Sequence, residues 1–184
     1  MARLTADDRR RQLLGIGLSK LVDKPIHDLS LDEVATEAGI SRGLLFHYFS
    51  TKKDFYLACV SAAGRRILRN TTPDPELSPT DQLREMVRLI IDQIDRRRAF
   101  YISLVRGTGG GDVRVVEVYD GMREELTDRV LASLDLAPDA RNVVHAWWAY
   151  VEDQAIEWSG PRRRTHTLDE LTDHCVAALH SLLR

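Results

Sequence analysis

Residues 30–49 decide the fold, and they read Ser-Leu-Asp-Glu-Val-Ala-Thr-Glu-Ala-Gly-Ile-Ser-Arg-Gly-Leu-Leu-Phe-His-Tyr-Phe. The pattern predicts two short helices joined by a few residues around Gly39. Helices this short are marginal in water when isolated, so they must pack on each other and on further helices. The spacing of a helix-turn-helix is present: Ala35 is followed after four positions by Gly39 and after six more by Leu45. The predicted buried face consists of Val34, Ile40, Leu45 and Phe49.

The face of this hairpin that points away from the predicted core is rich in groups that bind nucleic acid. The second helix presents Arg42, His47 and Tyr48, while Ser30 and Ser41 stand at helix starts, followed by Lys52 and Lys53. Free N–H groups at helix N-termini and side-chain donors both suit phosphate oxygens. Arg42, at the start of the second helix, is the best candidate for a bidentate contact to guanine. The alternative is a hairpin with a purely structural role.

Charge permits DNA binding without demonstrating it. The chain has a net charge of −2, but residues 1–54 hold nine Lys/Arg against eight Asp/Glu, which gives +1. Residues 55–184 hold 17 against 20, which gives −3. Phosphate binding needs only a local basic face, so the overall sign does not exclude it.

Several other classes of protein are not expected. No apolar run is long enough to span a bilayer, and the first residues lack a secretory segment, so we expect a cytoplasmic protein with no membrane partner. The two cysteines, Cys59 and Cys175, are far apart and predict neither a disulfide framework nor a zinc site. No nucleophile motif or metal-ligand spacing is present, so we expect no catalysis, no metal and no cofactor.

The rest of the chain is predicted to be helical. Apolar residues recur at spacings of three and four, and strand-like alternation is absent. Thr5, Ser30, Thr51 and Thr167 each precede an acid by three residues, as in a capping box. The prediction is an all-α fold of about nine helices, near 6–22, 31–38, 42–48, 52–71, 79–97, 99–106, 113–134, 139–159 and 168–183. A three-helix DNA-binding head occupies residues 1–54, and a larger body for effector binding and dimerisation occupies residues 55–184.

The stretch from Leu29-Ser30-Leu31-Asp32-Glu33-Val34-Ala35 through Lys52-Lys53-Asp54-Phe55 resembles the signature of the TetR (tetracycline repressor-like) family of bacterial regulators. That signature runs Thr/Ser, Ile/Val-Ala, Ala-Gly-Val-Ser-x-Gly-x-Leu-Tyr-x-His-Phe-x-x-Lys-x-x-Leu, and the specific match covers residues 9–57. Beyond residue 57 the chain agrees with the family in length and helix count only.

The resemblance implies a homodimer whose two recognition helices enter successive major grooves of a near-palindromic, double-stranded operator. It implies that phosphates are contacted by Ser30, Ser41, Tyr48 and Lys52, and that base edges lie against Arg42, Gly43 and His47. Phe46, on the same surface, stands where tyrosine is usual and lacks its hydroxyl, and Tyr48 stands where histidine is usual. Asp32, in the first turn of the first hairpin helix, is expected to repel phosphate.

The last two helices are predicted to form the dimer interface. Residues 139–159 carry two apolar stripes, and residues 168–183 follow a heptad pattern. We favour a four-helix interface between two copies, since a thin body has few other ways to bury both stripes; the alternative is that both helices lie in the core of one chain. The predicted interface residues are Val144, Trp148, Leu168, Leu171, Cys175, Leu179 and Leu182.

A small, mostly apolar effector is predicted to enter the body among the fifth to eighth helices. Glu152 is a possible polar anchor, and the other candidate pocket residues are Phe100, Tyr101, Leu104, Tyr119, Met122 and Trp147 or Trp148. Aromatic residues at helical spacing also occur as ordinary core, which is the alternative. The expected function is therefore a transcriptional regulator, acting as a repressor that an effector releases. The rival is an all-helical ligand-binding or catalytic protein, and an activator is a nearer variant.

Overall fold

The computed structural model describes residues 4–21, 28–105, 112–160 and 165–184. Within these ranges the chain is all-α, as predicted, with nine α-helices, a 3-10 turn at Pro138–Ala140 and no strand. The helices are α1 (Ala6–Lys20), α2 (Leu31–Glu37), α3 (Arg42–Tyr48), α4 (Lys52–Asn70), α5 (Pro79–Arg96), α6 (Arg98–Val105), α7 (Val113–Ser133), α8 (Arg141–Trp158) and α9 (Leu168–Leu182). Residues 107–111, which the sequence predicts to form a glycine-rich loop, and the arginines at 162–164, predicted to be solvated, lie outside the described residues. No described helix combines the length and apolarity that crossing a bilayer requires.

Side-chain caps determine where most helices begin. The hydroxyls of Thr5, Ser30, Ser41 and Thr51 each accept a hydrogen bond from the backbone N–H three residues later. Thr167 completes a reciprocal capping box, because the Glu170 carboxylate accepts from the Thr167 backbone N–H. These bonds satisfy N–H groups that a helix start leaves unpaired, which is why the starts are readable from the sequence.

The head is a three-helix unit closed by the first turns of α4. Its core holds Leu13 from α1, Val34 from α2 and Leu45 from α3, each fully buried. Phe49 and Phe55 meet edge to face with ring centroids 4.9 Å apart, which joins the end of α3 to α4. The head therefore depends on α4 for part of its core, and α4 continues from it into the body without a break.

The body is arranged around α5, which packs against α8 and α9. α7 packs along both α4 and α8 and so lies between the head-bearing helix and the centre of the body. Seven residues of α5 are buried between Leu83 and Ile94, and their spacing of three and four places them on one broad face of the helix. α5 thus covers apolar surface of two neighbouring helices at once.

This packing places most of the predicted interface residues inside the single chain. Val144, Trp148, Leu171, Cys175 and Leu179 are all at least 95% buried within the single chain. Leu168 is half-buried, and only Leu182 is largely exposed, at 58%. α5 packs against both α8 and α9 and buries these five residues in the core of their own chain, which is the alternative that the sequence left open. The dimer interface itself stays a prediction. Any dimer surface must use other faces of these helices.

Gly17 provides a stability test, because α1 crosses α4 there with no room for a side chain. A Cβ at this position would lie 2.7 Å from the Cys59 Sγ and 2.8 Å from the Phe55 Cζ. We predict that Gly17→Ala lowers the free energy of unfolding by about 1–3 kcal/mol, since neither buried neighbour has space to move. Urea denaturation followed by circular dichroism measures this.

Gly15 is the matched control in the same helix. It is exposed, and an added Cβ there would meet no atom within 4 Å. Gly15→Ala is expected to raise the free energy of unfolding by about 0.5–1 kcal/mol through helix propensity alone. Equal effects of the two substitutions would contradict the close crossing of α1 and α4.

Candidate nucleic-acid interface and body site

The turn between α2 and α3 fixes the angle of the helix-turn-helix. Gly39 has a φ of +66°, in the left-handed region that favours glycine. The Gly39 N–H donates to the Thr36 carbonyl and the Ile40 N–H donates to the Ala35 carbonyl, both at 3.0 Å. These two bonds form a Schellman motif, which satisfies the last carbonyls of α2 while reversing the chain. Ser41 then caps α3 immediately, so only a few residues separate the two helices.

The structure places the predicted DNA-contacting residues on one surface of the head. Ser41, Arg42, Gly43, His47 and Lys52 are exposed. The remaining three, Ser30, Phe46 and Tyr48, are half-buried. Leu45 of α3 is fully buried, whereas its neighbour Leu44 is 42% exposed, so α3 is attached to the core through Leu45 and presents Arg42, Gly43 and His47 to solvent. This orientation meets the geometric condition for a recognition helix, which must present its N-terminal residues to a groove.

Arg42 is held by Asp32, a contact the sequence did not reveal. The Arg42 Nη1 lies 2.9 and 3.2 Å from the two Asp32 carboxylate oxygens, and its guanidinium lies 5.6 Å from the centre of the Phe46 ring. Asp32, expected to face phosphate as a bare negative charge, is instead paired. Both side chains are more than half exposed, at 59% and 64%. They line a cleft of about 320 Å³ whose wall also includes Ser30 and Lys52.

Two arginines of α1 stabilise the ends of the hairpin helices. The Arg9 Nη1 donates to the carbonyl of Ala38, the C-cap of α2, at 3.1 Å. The Arg10 Nη1 donates to the carbonyl of Tyr48, the last residue of α3, at 2.9 Å, and its guanidinium stacks 4.4 Å from the Phe49 ring centre. A cation at a helix C-terminus pairs with unsatisfied carbonyls and with the helix dipole. Sequence reasoning counted these arginines only as local positive charge.

A buried polar group lies where α7 meets α8. Glu152 is 4% exposed, and its Oε2 accepts hydrogen bonds from the Tyr119 hydroxyl at 2.5 Å and the Arg123 Nη2 at 2.9 Å. Burial raises the pKa of the Glu152 carboxyl, and the bonds from Tyr119 and Arg123 oppose that rise. Glu152 and Tyr119 were predicted pocket residues, whereas Arg123 was missed. The only feature of the sequence that could have indicated Arg123 is its position one helical turn after Tyr119.

The other predicted pocket residues divide between two environments. Phe100, Tyr101, Met122 and Trp148 are buried in α6, α7 and α8, and Leu104 is half-buried. Trp147 differs, because its Nε1 donates to the Cys175 carbonyl in α9 at 2.8 Å. Trp147 thus packs toward α9 as a structural core residue. The sequence predicted either Trp147 or Trp148 as a pocket residue, and Trp148 is the one that shares the helix face of Glu152.

An ion pair joins α7 to the start of α4. The Arg114 guanidinium lies 3.1 Å from the Asp54 carboxylate and 2.8 Å from that of Asp112, the N-cap of α7. Hydrogen bonds from Arg114 lower the pKa of Asp112 to about 2. Asp54 stands in the first turn of α4, beside Lys52 and Lys53. The body therefore contacts the head close to the residues predicted to meet phosphate.

Two family models match the chain. The model described as "Bacterial regulatory proteins, tetR family" matches residues 19–59, which include α2, α3 and the start of α4. The model described as "Tetracyclin repressor-like, C-terminal domain" matches residues 79–180, which run from α5 into α9.

Curated relatives match part of the chain. The transcriptional activator FasR of Mycolicibacterium smegmatis is 34% identical over 100 residues, which cover 50% of this chain and 43% of FasR. The regulator EthR of Mycobacterium tuberculosis is 40% identical over 52 residues, which cover 28% of this chain and 24% of EthR. The chain thus spans less than half the length of these relatives.

Solved structures agree over the whole chain. A TetR-family transcriptional regulator from Streptomyces coelicolor is 26% identical and superposes with a TM-score of 0.87 over 98% of this chain and 82% of that one. The fatty acid degradation regulator FadR from Bacillus halodurans shares the fold at 14% identity, with a TM-score of 0.72 over 100% and 99% of the two chains. With one family model spanning more than half of its residues, this chain belongs to the TetR family of bacterial regulatory proteins.

Proposed function

We propose that this protein is a transcriptional repressor that binds a palindromic operator as a homodimer and leaves it when a small molecule occupies the body. The observation that carries the proposal is the orientation of α3, whose Leu45 is buried while Arg42, Gly43 and His47 face solvent. A two-fold dimer presents two such helices at the spacing of about 34–36 Å that successive major grooves require.

The proposed division of labour on DNA follows from position and chemistry. Arg42, Gly43 and His47 read base edges, with Arg42 donating two hydrogen bonds to a guanine. Phosphates are bound by the hydroxyls of Ser30, Ser41 and Tyr48 and by the Lys52 ammonium group. Phe46 supports this surface by stacking beneath the Arg42 guanidinium.

The Asp32 carboxylate orients Arg42 before DNA arrives. An exposed ion pair contributes only about 0–1 kcal/mol, so a guanine can replace Asp32 as the partner of Arg42 at little cost. While the pair exists, the guanidinium has fewer conformations to lose on binding, which favours the matched base. Asp32 also repels phosphate, so it weakens binding to DNA that offers Arg42 no guanine.

Release is proposed to act through α7. This helix carries Tyr119 and Arg123 at the buried polar group, and Arg114 at the contact with Asp54 lies about 8 Å from Tyr119 and about 14 Å from Arg123 along the helix axis. A ligand that shifts α7 therefore also shifts the start of α4 and the head attached to it. Recognition helices that leave the groove spacing lose affinity, and a coupling of about 1–3 kcal/mol is enough for regulation.

The activator FasR among the relatives favours a second candidate, an activator that uses the same DNA contacts. Measurement of transcription from the bound promoter, with and without the protein, distinguishes a repressor from an activator. Binding to the DNA upstream of the protein's own gene distinguishes both from an all-helical enzyme or ligand carrier, for which no band shift is expected.

Arg42 and Lys52 are predicted to act differently on DNA. Arg42→Ala should weaken the free energy of operator binding by about 1–3 kcal/mol. It should also reduce the preference for guanine at one base pair in each half-site. Lys52→Ala should weaken binding to all sequences alike and reduce the slope of log affinity against log salt by about one. Fluorescence anisotropy on operator and single-base variants, over a range of salt, measures both. If the two substitutions affect every sequence equally, Arg42 does not read bases.

Asp32 gives an independent test of how Arg42 is oriented. Asp32→Asn should raise affinity for unrelated DNA, because one negative charge near phosphate is lost, and should reduce the operator-to-random affinity ratio, because Arg42 is no longer held. The difference in binding free energy between operator and random DNA is expected to fall by about 0.5–1 kcal/mol, as for the loss of an exposed ion pair. Competition binding with random duplex DNA provides the measurement.

Glu33→Gln is the matched control for that experiment. Glu33 is exposed in the same turn of α2 and carries the same charge, but it lies beside Lys20 rather than Arg42. The control should raise general affinity slightly and leave the operator-to-random ratio unchanged. A fall in that ratio as large as that of Asp32→Asn would mean that charge alone, and not the contact with Arg42, produces the effect.

A further inference from the structure

In the described residues five polar side-chain atoms are buried without a hydrogen-bond partner, and two of these are the Tyr56 hydroxyl on α4 and the His145 Nδ1, which lies 3.4 Å from the Glu124 carboxylate. The other three are donors on α6, α7 and α8. They are the Tyr101 hydroxyl, the Trp148 Nε1 and the Arg123 Nε. Tyr101 and Trp148 are each 1% exposed, so water does not reach them from the surface. Buried donors are almost always paired, because loss of water without a replacement partner is costly. Three unpaired donors in one region therefore call for an explanation.

The three donors come from α6, α7 and α8, which pack on one another in the part of the body that holds Glu152. Arg123, on α7, reaches Glu152 through its Nη2 at 2.9 Å. Trp148 lies four residues before Glu152 on α8 and so shares its face of the helix. Tyr101, on α6, is close enough for the Glu152 charge to act on it, adding to the effect of burial in raising the pKa of the Tyr101 hydroxyl. These groups form one cluster where α6, α7 and α8 meet.

The chemistry of the cluster defines what is missing. The indole N–H and the guanidinium N–H can only donate, so two of the three groups cannot satisfy each other. The Glu152 Oε2 accepts from Tyr119 and from the Arg123 Nη2. The other Glu152 oxygen, Oε1, bonds none of the three donors, so in this arrangement they have no acceptor, and an oxygen placed among them would supply one.

Charge decides which kind of oxygen fits. The Glu152 carboxylate and the Arg123 guanidinium already form an ion pair, with side chains only 5% and 15% exposed. A second carboxylate beside Glu152 would be repelled, and one of the two would have to take up a proton. The positive charge of Arg97 also acts on the Tyr101 hydroxyl. Arg97 is itself close to the charge of the exposed Arg66, so it belongs to the positive groups near the surface and not to the cluster around Glu152. An uncharged acceptor satisfies the donors without this repulsion.

We propose that the effector of this protein carries an uncharged carbonyl oxygen, as in a ketone, ester or amide, which accepts hydrogen bonds from Tyr101, Trp148 and Arg123. Its apolar part packs against Phe100 and Met122, which are buried on α6 and α7. The proposal rests on the proposed function, since it names the chemical class of the ligand that occupies the body. It also links recognition to release, because Arg123 and the Arg114 contact with Asp54 are on the same helix.

Binding of matched compounds tests the ligand class. Methyl ketones and primary amides with hexyl, octyl and decyl chains are titrated into the full-length protein alongside the carboxylates of the same chains, with isothermal calorimetry and thermal unfolding as readouts. At least one ketone or amide is expected to bind at least about tenfold more tightly than its carboxylate, since each lost or mispaired buried hydrogen bond costs about that factor. A carboxylate that binds as tightly, or no binding by any ketone or amide, overturns the proposal.

A pair of tyrosine variants tests the donors. Tyr101→Phe removes one unpaired hydroxyl and should weaken ketone or amide binding about tenfold. In the free protein the same substitution should leave Tm unchanged or raise it, because a buried donor without a partner is removed. Tyr56→Phe is the control, since the Tyr56 hydroxyl is also buried without a partner but lies on α4, and ligand affinity should not change. If Tyr101→Phe lowers Tm and leaves affinity intact, the hydroxyl has a structural role and the proposal fails.

Operator binding of the wild-type protein, measured without any ligand, distinguishes a failure of the proposed function from a failure of the proposed ligand class. If the wild-type protein binds its operator and carbonyl compounds do not bind the body, the proposed ligand class is wrong and the regulator remains. If carbonyl compounds bind but no operator is found, the proposed function is wrong and the cluster is a ligand site of another kind of protein.

Discussion

The head depends on one constraint: two helices of seven residues each cannot persist unless the rest of the chain holds them. The Schellman turn at Gly39 sets their angle, buried Val34 and Leu45 attach them to the core, and Arg9 and Arg10 of α1 bind the carbonyls at their ends. Because stability comes entirely from these inward contacts, the outward face of α3 is free to carry residues chosen for binding. The exposure of Arg42 and His47 is a consequence of this arrangement.

The body is linked to the head by helices that belong to both. α4 contributes Phe55 to the core of the head and continues into the body, where α7 packs along it. α7 in turn carries Arg123, which pairs with the buried Glu152 of α8. A buried ion pair with neighbouring unpaired donors is not favourable for stability alone, since a well-packed apolar cluster often serves better. Its retention in the core is consistent with a role in binding.

The sequence predicted whatever depends on local chemistry and failed where the answer depends on which helices meet. Short-range spacing in the sequence predicts the helix caps at Ser30, Ser41 and Thr167. It also predicts the turn at Gly39 and the outward position of Arg42. The structure places all of these as expected. The pairing of Asp32 with Arg42 needs the angle between α2 and α3. The stripes on α8 and α9 were assigned to a dimer, and no short-range pattern reveals that α5 packs against both helices and buries most of these residues within one chain. Arg123 was missed for the same reason, since only the packing of α7 on α8 brings it to Glu152.

The central claim is that α3 lies in the major groove with Arg42 against a guanine. Guanine methylation interference on the operator tests it directly, because methylation at N7 removes the acceptor that a bidentate arginine needs. With the wild-type protein, we predict one guanine in each half-site, symmetrically placed, whose methylation blocks binding; with Arg42→Ala, interference at these guanines should disappear while that at other positions remains. The same interference pattern for both proteins, or no symmetric pair of guanines, would contradict the account.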